Sequence, residues 1–390
     1  MDKAFEYRIY PNAAQRGLIE RTFGCCRYVY NRALAIRKEA YGSGSKAPSV
    51  NDCIKMLPGW KADAGTSWLG EVDAAALQQS LRDLDKAYRN FFRSPGKAGH
   101  PRFKSKRAGR MSYRTPANGN SVRVEAGSIR LPKLGSVKMR CSRPVEGRIL
   151  SVTVKRVPTG KYFACVCCTD VPAAALPRAG KAVGIDLGID RLITTSDGAI
   201  VANARPLASL GKRLAREQRR LSRKAGARKG ERPSNNYIKQ RKRVARIHER
   251  IADQRKDAAH KATTALINEN QVIVAETLRP ANMVKNHCLA KSISDAAFGE
   301  IARQLEYKAD WYGREFVRVG AFFPSSKTCS SCGHVQDMPL GKRTYACPEC
   351  GMAMDRDVNA AVNILAEGLR LIGWGTPESN ACGEGVSRCA

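Results

Sequence analysis

The sequence predicts a multidomain α+β protein, in which a β-rich, barrel-like unit with a helical insert is followed by an α/β unit with a small cysteine-bound lobe. Three observations predict this arrangement. Residues 100–169 alternate polar and apolar positions in short runs, as strands and turns do. Two apolar strands beyond residue 181 each end in an acid, and two Cys-x2-Cys pairs lie beyond residue 328.

The first unit is predicted to begin with a strand. KAFEYRIYP alternates and ends at Pro11, and residues 12–40 and 71–93 then repeat apolar positions at three- and four-residue steps, which predicts two helices. Strand-and-turn patterns follow. The predicted bounds are 1–10 and 96–170 for the β-rich unit and 11–95 for the helical insert.

The second unit is predicted to begin after a linker, VPAAALPRAGK. VGIDLGIDRLITTSDGAIV predicts a strand, an acid and two further strands joined by a Ser-Asp-Gly turn, and QVIVAETL predicts a strand that ends at Glu276. A helix over about 295–313, a strand over 316–320 and a closing helix, NAAVNILAEGL, complete the unit. The predicted bounds are 171–181 for the linker, 182–328 and 351–370 for this unit, 329–350 for the cysteine lobe and 371–390 for a disordered tail.

Charge predicts the partner. The 390 residues include 68 Lys and Arg against 35 Asp and Glu, a formal net charge of +33. Such an excess repels itself unless a polyanion neutralises it, so nucleic acid is the expected partner. A membrane surface is the competing partner, but no compact basic amphipathic helix with a Trp and Phe face stands out. There is also no apolar run that could span a membrane or serve as a signal peptide, so the expected location is the bacterial cytosol and nucleoid.

Basic residues concentrate at the entrance to the strand region and over residues 205–256. Thin apolar stripes in the second segment predict two long helices that meet near residues 226–236. Charge runs are usually solvated helix faces, but an excess of one sign favours phosphate contact here. The candidate nucleic-acid-binding residues are Arg102, Lys104, Lys106, Arg107, Lys212, Arg213, Arg216, Arg219, Arg220, Lys239, Arg241, Lys242 and Arg243.

Four of the 14 cysteines form two spaced pairs, Cys329-x2-Cys332 and Cys347-x2-Cys350. Two thiolates on each tight turn would make a tetrahedral set for structural Zn²⁺, with no open position for catalysis. His334 lies close by, but it is redundant once four thiolates are present. Most of the remaining cysteines are expected to be packing residues.

Three acids stand out by placement: Asp186 and Glu276 end short apolar strands, and Asp357 begins the closing helix. Any one of them alone could be a cap or a surface charge. Together, in a chain of this charge, they favour a different interpretation, because strand-end acids need a cation and hard oxygen ligands suit Mg²⁺. Two such ions can activate a water and stabilise the leaving oxygen of a phosphodiester, so the set predicts a nuclease.

Other polar residues near these acids are weaker candidates. Asp197 is expected in a turn, and Asp190 and Asp355 flank better-placed acids. Asn359 could hydrogen-bond a catalytic carboxylate or cap its own helix. The sequence has no Gly-x-Ser-x-Gly motif and no Gly-rich phosphate loop, and its five His are scattered, so nucleophilic side-chain mechanisms have little support.

The motifs GIDLGI, VAETL and PSSKTCSSCG…CPECG…DRDVNAAVNIL resemble the TnpB family of transposon-encoded proteins, relatives of type V CRISPR effectors. YRIYPNAAQRGLIERTFGCCRYVYNRAL is similar to the N-terminal pattern of that family, and the resemblance extends from about Tyr7 to Leu369. It implies an RNase H-like (RuvC) nuclease domain with a zinc-ribbon insert, preceded by a wedge domain with a helical recognition insert. Thr277 stands where family members often carry an acid, but that position is not a metal ligand in the family.

The resemblance also implies the chemistry. Asp186, Glu276 and Asp357 would be the metal-binding triad, with a guide RNA from the transposon end and a double-stranded DNA target beside a short transposon-adjacent motif. The predicted function is therefore RNA-guided DNA cleavage, in which two Mg²⁺ ions support hydrolysis of the phosphodiester. Two alternatives remain: an RNA-guided DNA-binding regulator that does not cut, and an unguided transposase or junction nuclease of the same fold. Relatives that have lost nuclease activity usually lack part of the triad, and this chain keeps all three acids.

Overall fold

The computed structural model describes residues 1–106, 111–225, 233–339 and 341–374. The chain is a mixed α and β protein, as predicted, and divides into two compact units, Met1–Pro172 and a second that begins at Ala173. Most of the predicted tail and of the predicted junction between the two basic helices lies outside the described residues. No helix in the described part of the chain is both long enough and apolar enough to cross a membrane.

A seven-stranded antiparallel sheet forms the first unit. Its strands are β1 (Lys3–Tyr10), β2 (Met111–Pro116), β3 (Arg123–Glu125), β4 (Ser128–Leu131), β5 (Gly135–Arg140), β6 (Arg148–Arg156) and β7 (Tyr162–Thr169). Their order is β2-β6-β7-β1-β5-β4-β3, so the N-terminal strand lies in the interior of the sheet. This pairing joins segments on both sides of the helices into one unit. It leaves β2 and β3 at the two edges of the described sheet, and closure into a barrel stays a prediction.

The helices of the first unit are α1 (Ala13–Gly42), α2 (Val50–Ala62) and α3 (Ala74–Arg93). α1 begins after Pro11 because Asn12 and Gln15 form a capping box: the Asn12 side chain accepts from the Gln15 N–H at 2.8 Å, and the Gln15 side chain accepts from the Asn12 N–H at 3.0 Å. No element was predicted over the residues of α2. A second capping box, formed by Ser49 and Asp52, marks its start and was the available signal.

A five-stranded sheet forms the centre of the second unit. Its strands are β8 (Ala182–Asp186), β9 (Arg191–Thr195), β10 (Ile200–Ala202), β11 (Val272–Glu276) and β12 (Glu315–Val319). The order is β10-β9-β8-β11-β12. β8, β11 and β12 run parallel, whereas β9 and β10 pair antiparallel at one side. Two acid-bearing strands that are far apart in sequence are thus direct neighbours in space.

Helices pack on both faces of this sheet. The helices in the described part of the second unit are α4 (Pro206–Arg223), α5 (Asn235–Glu269), α6 (Pro280–Met283), α7 (Ala290–Ala296), α8 (Phe298–Tyr312) and α9 (Arg356–Leu371). Val183, Ile185 and Ile273 pack in one core with apolar residues of α5 and α8. Val272 and Val274 pack in another core with apolar residues of α9. Because successive strand residues point to opposite faces, these two cores lie on opposite sides of the sheet.

The cysteine lobe contains a short hairpin, β13 (Thr344–Ala346) and β14 (Ala353–Asp355), which pair antiparallel. The second cysteine pair lies on the turn between the two strands, and the returning strand runs past residue 350, the predicted end of the lobe. α9 begins at the next residue, Arg356. The lobe therefore leads into the helix that packs on the central sheet.

Candidate functional site

Asp186 and Glu276 lie side by side at the carboxyl edge of the central sheet. They are the last residues of the parallel neighbours β8 and β11, and Ile185 pairs with Ala275 directly before them. Gly184 lies two residues before Asp186 on the same face of the sheet, the face that α9 covers. The two acids therefore share the α9 side of this edge.

Gly184 lets α9 approach β8 closely. A Cβ atom built on Gly184 would overlap the carbonyl oxygen of Ala361 and lie 2.7 Å from the backbone nitrogen of Leu365. The N-terminus of α9 is held by Asp355, whose side chain accepts from the Asp357 N–H at 2.9 Å. Asp357 consequently lies in the first turn of a helix that rests directly on the strand ending in an acid.

The three acids of this carboxylate cluster, Asp186, Glu276 and Asp357, repel one another. Burial raises the pKa of Asp186, the negative charges of Glu276 and Asp357 raise it further, and Arg356 only partly opposes them; the resulting pKa is about 7. Burial and like-charge repulsion both destabilise the ionised form of Asp186. A bound divalent cation would offset both, so this carboxylate is a good candidate cation ligand. The cluster thus has the donor chemistry that Mg²⁺ requires.

This pKa predicts an unusual pH dependence of stability. The folded pKa of Asp186 lies above its usual value of 3.8, so between the two values the unfolded chain binds fewer protons and the metal-free protein loses stability as pH rises. At pH 8 without divalent cations, we expect Asp186→Asn to raise the free energy of unfolding by an amount on the order of 1–3 kcal/mol. The melting temperature should rise accordingly. The gain should shrink towards pH 5. Calorimetry measures both.

Asp190→Asn is the matched control for this experiment. Its carboxylate accepts hydrogen bonds from Arg343 and Arg205, which lower its pKa, so its replacement should give no stabilisation at pH 8. Identical melting curves for Asp186→Asn and the wild type at pH 8 would contradict the assigned repulsion.

Two arginines flank the third acid. The Asp357 carboxylate lies 4.0 Å from Nη1 of Arg191 and 3.9 Å from Nη1 of Arg343. Arg191 also donates to Asp355 at 2.8 Å, and Arg343 donates to Asp190. Burial raises the pKa of Asp355, but hydrogen bonds from Arg191 and from α9 N–H groups lower it below its usual value. Asp190 and Asp355, the weaker candidates, thus have arginine partners, and Asp355 is a helix cap.

Two further candidates have structural contacts. Asp197 accepts from Lys181 at 2.6 Å, which with other contacts lowers its pKa to about 2. Asn359 has neither of the two roles predicted for it: its Oδ1 accepts from the Ser330 N–H at 3.0 Å and its Nδ2 donates to the carbonyl of Thr328 at 2.7 Å. The reason is its position on α9, where it is fully buried against the cysteine lobe.

The four cysteines converge on one point. Their Sγ atoms all lie within 4.8 Å of one another, and Cys329 and Cys350 are 3.7 Å apart, as Cys332 and Cys347 are at 3.6 Å. Zn–S bonds of about 2.3 Å in a tetrahedron require S–S separations of about 3.8 Å, so the set fits Zn²⁺. His334 contributes its carbonyl oxygen to the Cys329 N–H, at 2.8 Å.

Within the described residues, no other set of three His, Cys, Asp or Glu ligand atoms is this compact. The carboxylate cluster is therefore more widely spaced than the thiol set.

The basic candidates on α4 and α5 form one field. The two helices pack through a thin apolar seam that includes Leu214, Val244 and Ile247. On either side of this seam, the candidate residues are exposed; they are Lys212, Arg213, Arg216, Arg219, Arg220, Lys239, Arg241, Lys242 and Arg243. Exposed cations on a helix pair suit phosphate contacts.

Asp295, which the sequence analysis missed, anchors this helix pair. It is almost fully buried, accepts from the N–H groups of Leu207 and Ala208 at the start of α4, and forms a two-nitrogen contact with Arg255 of α5. Its partners on α4 and α5 are distant in sequence, so no local pattern could reveal this role.

The candidates of the first unit differ from one another. Arg102, Lys104 and Lys106 are all exposed, but the Lys104 ammonium also lies 3.8 Å from the centre of the Tyr30 ring. Arg107 lies outside the described residues. A surface cavity of about 800 Å³ provides a second basic site that the sequence analysis did not find. Among its lining residues are Arg21, Arg27, Arg32, Tyr28 and Trp68, a combination that can stack on bases and contact phosphates.

Three family models match the chain. They are described as "Probable transposase" over residues 165–287, "Cas12f1-like, TNB domain" over residues 298–364 and "Helix-turn-helix domain" over residues 1–46. Together they match both units. All three acids lie within these matches: Asp186 and Glu276 in the first and Asp357 in the second.

Relatives align along almost the entire chain. A Streptomyces pristinaespiralis protein, provisionally named RNA-guided DNA endonuclease, is 42% identical over 388 residues, which cover 98% of this chain and 92% of that protein. An Escherichia coli K12 protein with the same provisional name is 35% identical over 400 residues, 98% of this chain and 94% of its own. A chain in the cryo-EM structure of the Cas12f1-sgRNA-target DNA complex shares the fold, with a TM-score of 0.60 and 15% identity over 93% of this chain and 98% of that one.

Proposed function

This chain belongs to the TnpB family of transposon-encoded proteins, as its motifs predicted, and on that premise we infer that it is an RNA-guided DNA endonuclease. The observation that carries the inference is the carboxylate cluster, in which Asp186, Glu276 and Asp357 meet at one edge of the central sheet. Neighbouring buried carboxylates are costly unless positive charge offsets them, and a bound cation would supply that charge.

The chemistry proposed for this cluster is phosphodiester hydrolysis. Asp186, Glu276 and Asp357 would hold Mg²⁺, and two bound ions would supply an activated water and stabilise the leaving oxygen. Arg191 and Arg343, about 4 Å from Asp357, are placed to contact phosphate oxygens beside the cluster. On this proposal the second unit is an RNase H-like (RuvC) nuclease domain.

The cysteine lobe is proposed to be a zinc ribbon. Its four thiolates would bind one Zn²⁺ and leave no position open for substrate, so the ion would hold the lobe together and take no part in hydrolysis. The first unit is proposed to be the wedge domain, with α1, α2 and α3 as its recognition insert.

The partners proposed are a guide RNA from the transposon end and double-stranded DNA. Base pairing would identify the target sequence, while the protein would hold the heteroduplex by its shape and backbone charge. The exposed cations of α4 and α5 supply such charge. The one acid of α4, Glu217, does not oppose it at the surface, because it is buried, accepts from Gln240 and pairs with Arg220. Binding should therefore weaken steeply with salt.

The test is to express the gene with its native downstream DNA, purify the protein in high salt and sequence the bound RNA. We expect one defined RNA that ends in sequence from beyond the gene. A plasmid that carries the complement of that end beside a randomised flank should then be cut when Mg²⁺ is added. The flanks that are depleted from the uncut plasmids should reveal the adjacent motif.

Two results would favour the alternatives. Cutting or joining of DNA by RNA-free protein would indicate an unguided transposase or junction nuclease. Tight, RNA-dependent target binding with no cutting at any Mg²⁺ concentration would indicate a regulator. If the copurified RNA consists of random fragments, the protein has no defined guide and that part of the proposal is wrong.

A further inference from the structure

We propose that Ser325 is a positioning residue for Glu276, and that the cysteine lobe holds Ser325 in place, so that the lobe sets the geometry of the carboxylate cluster. The Ser325 hydroxyl donates to Oε1 of Glu276 at 2.6 Å, and Ser325 is only 4% exposed. This inference rests on the proposed function, in which Glu276 is a metal ligand.

The segment that carries Ser325 is fastened to α9 by two asparagines. Asn363 donates to the carbonyls of Ser325 at 2.8 Å and Thr328 at 2.7 Å. Asn359 donates to the same Thr328 carbonyl at 2.7 Å and accepts from the Ser330 N–H at 3.0 Å. Both asparagines are buried, so water cannot replace these contacts at low cost.

This series of contacts begins inside the metal-binding turn. Ser330 follows Cys329 directly and precedes Cys332, so its N–H is oriented by the turn that presents the two thiols. From there the contacts pass through Thr328 to Ser325 and reach the Glu276 carboxylate. The lobe is thus connected to the cluster by hydrogen bonds as well as by the chain.

The hydroxyl has a specific chemical effect on Glu276. An ionised carboxylate only accepts, so the Ser325 hydroxyl donates to it and engages Oε1. Oε2 then remains available to a cation, and the side chain keeps one orientation despite the neighbouring acids. Partners that orient a metal ligand in this way typically change metal affinity 10–100-fold when removed.

The test compares Ser325→Ala, Ser325→Thr and Ser326→Ala in the protein–RNA complex. Ser326 is adjacent, and no hydrogen bond of its side chain is found among the described residues, which makes it the matched control. Mn²⁺ binding is measured by electron paramagnetic resonance without DNA, with the Asp186→Ala complex as the background for ions on the RNA. Cleavage is then measured against Mg²⁺ concentration.

We expect Ser325→Ala to weaken Mn²⁺ binding about 10-fold and to raise the half-saturating Mg²⁺ concentration by a similar factor, with most of the rate recovered at high Mg²⁺. Ser325→Thr, which keeps the hydroxyl, should restore affinity, and Ser326→Ala should match the wild type. Zinc content and melting temperature show that each variant is folded.

A folded Ser325→Ala complex with wild-type Mn²⁺ affinity and Mg²⁺ dependence would overturn the proposal, as would equal losses in Ser326→Ala. Glu276→Gln distinguishes this failure from a wider one. If Glu276→Gln loses metal binding and cleavage while Ser325→Ala loses neither, only the positioning role is wrong. If Glu276→Gln also changes nothing, the proposed metal-binding triad fails.

Discussion

Replacement of Asp186 by Ala should abolish target cleavage and leave the guide RNA bound. The substitution removes the carboxylate that ends β8 beside Glu276, so the cluster would lose one of its three proposed metal ligands. The rate should fall on the order of 10⁴-fold or more, as it does when an essential catalytic group is removed. Single-turnover cleavage of a matched plasmid, with the amount of copurified RNA measured in parallel, provides both readouts.

Asp197→Ala is the control for this prediction. Asp197 lies in the turn that joins β9 and β10 of the same sheet, and its carboxylate accepts hydrogen bonds from Lys181 and Thr195. Its loss should cost some stability and change the cleavage rate by no more than a few-fold. If Asp186→Ala cleaves at the wild-type rate, the assignment of the triad is wrong; if it loses RNA as well, Asp186 has a role in folding.

Replacement of Gly184 by Ala should also inactivate the enzyme, although Gly184 has no functional group. The added methyl would overlap the Ala361 carbonyl, so α9 must move away from β8 and carry Asp357 with it. Overpacking of this kind costs about 1–3 kcal/mol, and a displacement of about 1 Å at a reacting centre can cost about 100-fold in rate. Thermal unfolding and cleavage rate are the two measurements.

Gly320→Ala is the matched control, because it lies just past β12 in the same unit and a Cβ there would meet no atom within 4 Å. It should retain both stability and rate. Wild-type cleavage by Gly184→Ala would show that α9 can shift without disturbing the acids, and the close approach would then have no catalytic meaning.

Much of this protein follows from local sequence. Short apolar runs predicted the strands that end in Asp186 and Glu276, because the burial of a strand on both faces is a property of a few consecutive residues. Spacing alone predicted the thiol set, since each Cys-x2-Cys pair is one tight turn. Net charge and composition predicted the kind of partner. Motif resemblance added the family, which relatives aligned over 98% of the chain confirm.

The tertiary structure decided which of these residues act together. Only the pairing of β8 with β11 brings Asp186 beside Glu276, and only the packing of α9 on Gly184 adds Asp357. Asp190 is as acidic in sequence as Asp186, but its contacts with arginines stabilise its charge, whereas burial and like charge destabilise that of Asp186.

The same holds for the residues that sequence analysis missed or misassigned. Ser325, Asn359 and Asp295 are ordinary polar residues in their own segments, and their partners lie on other elements. Their roles depend on hydrogen bonds that exist only after distant segments pack and exclude water. Local sequence therefore determined the elements and the chemical groups, and the packing of those elements determined which groups form a site.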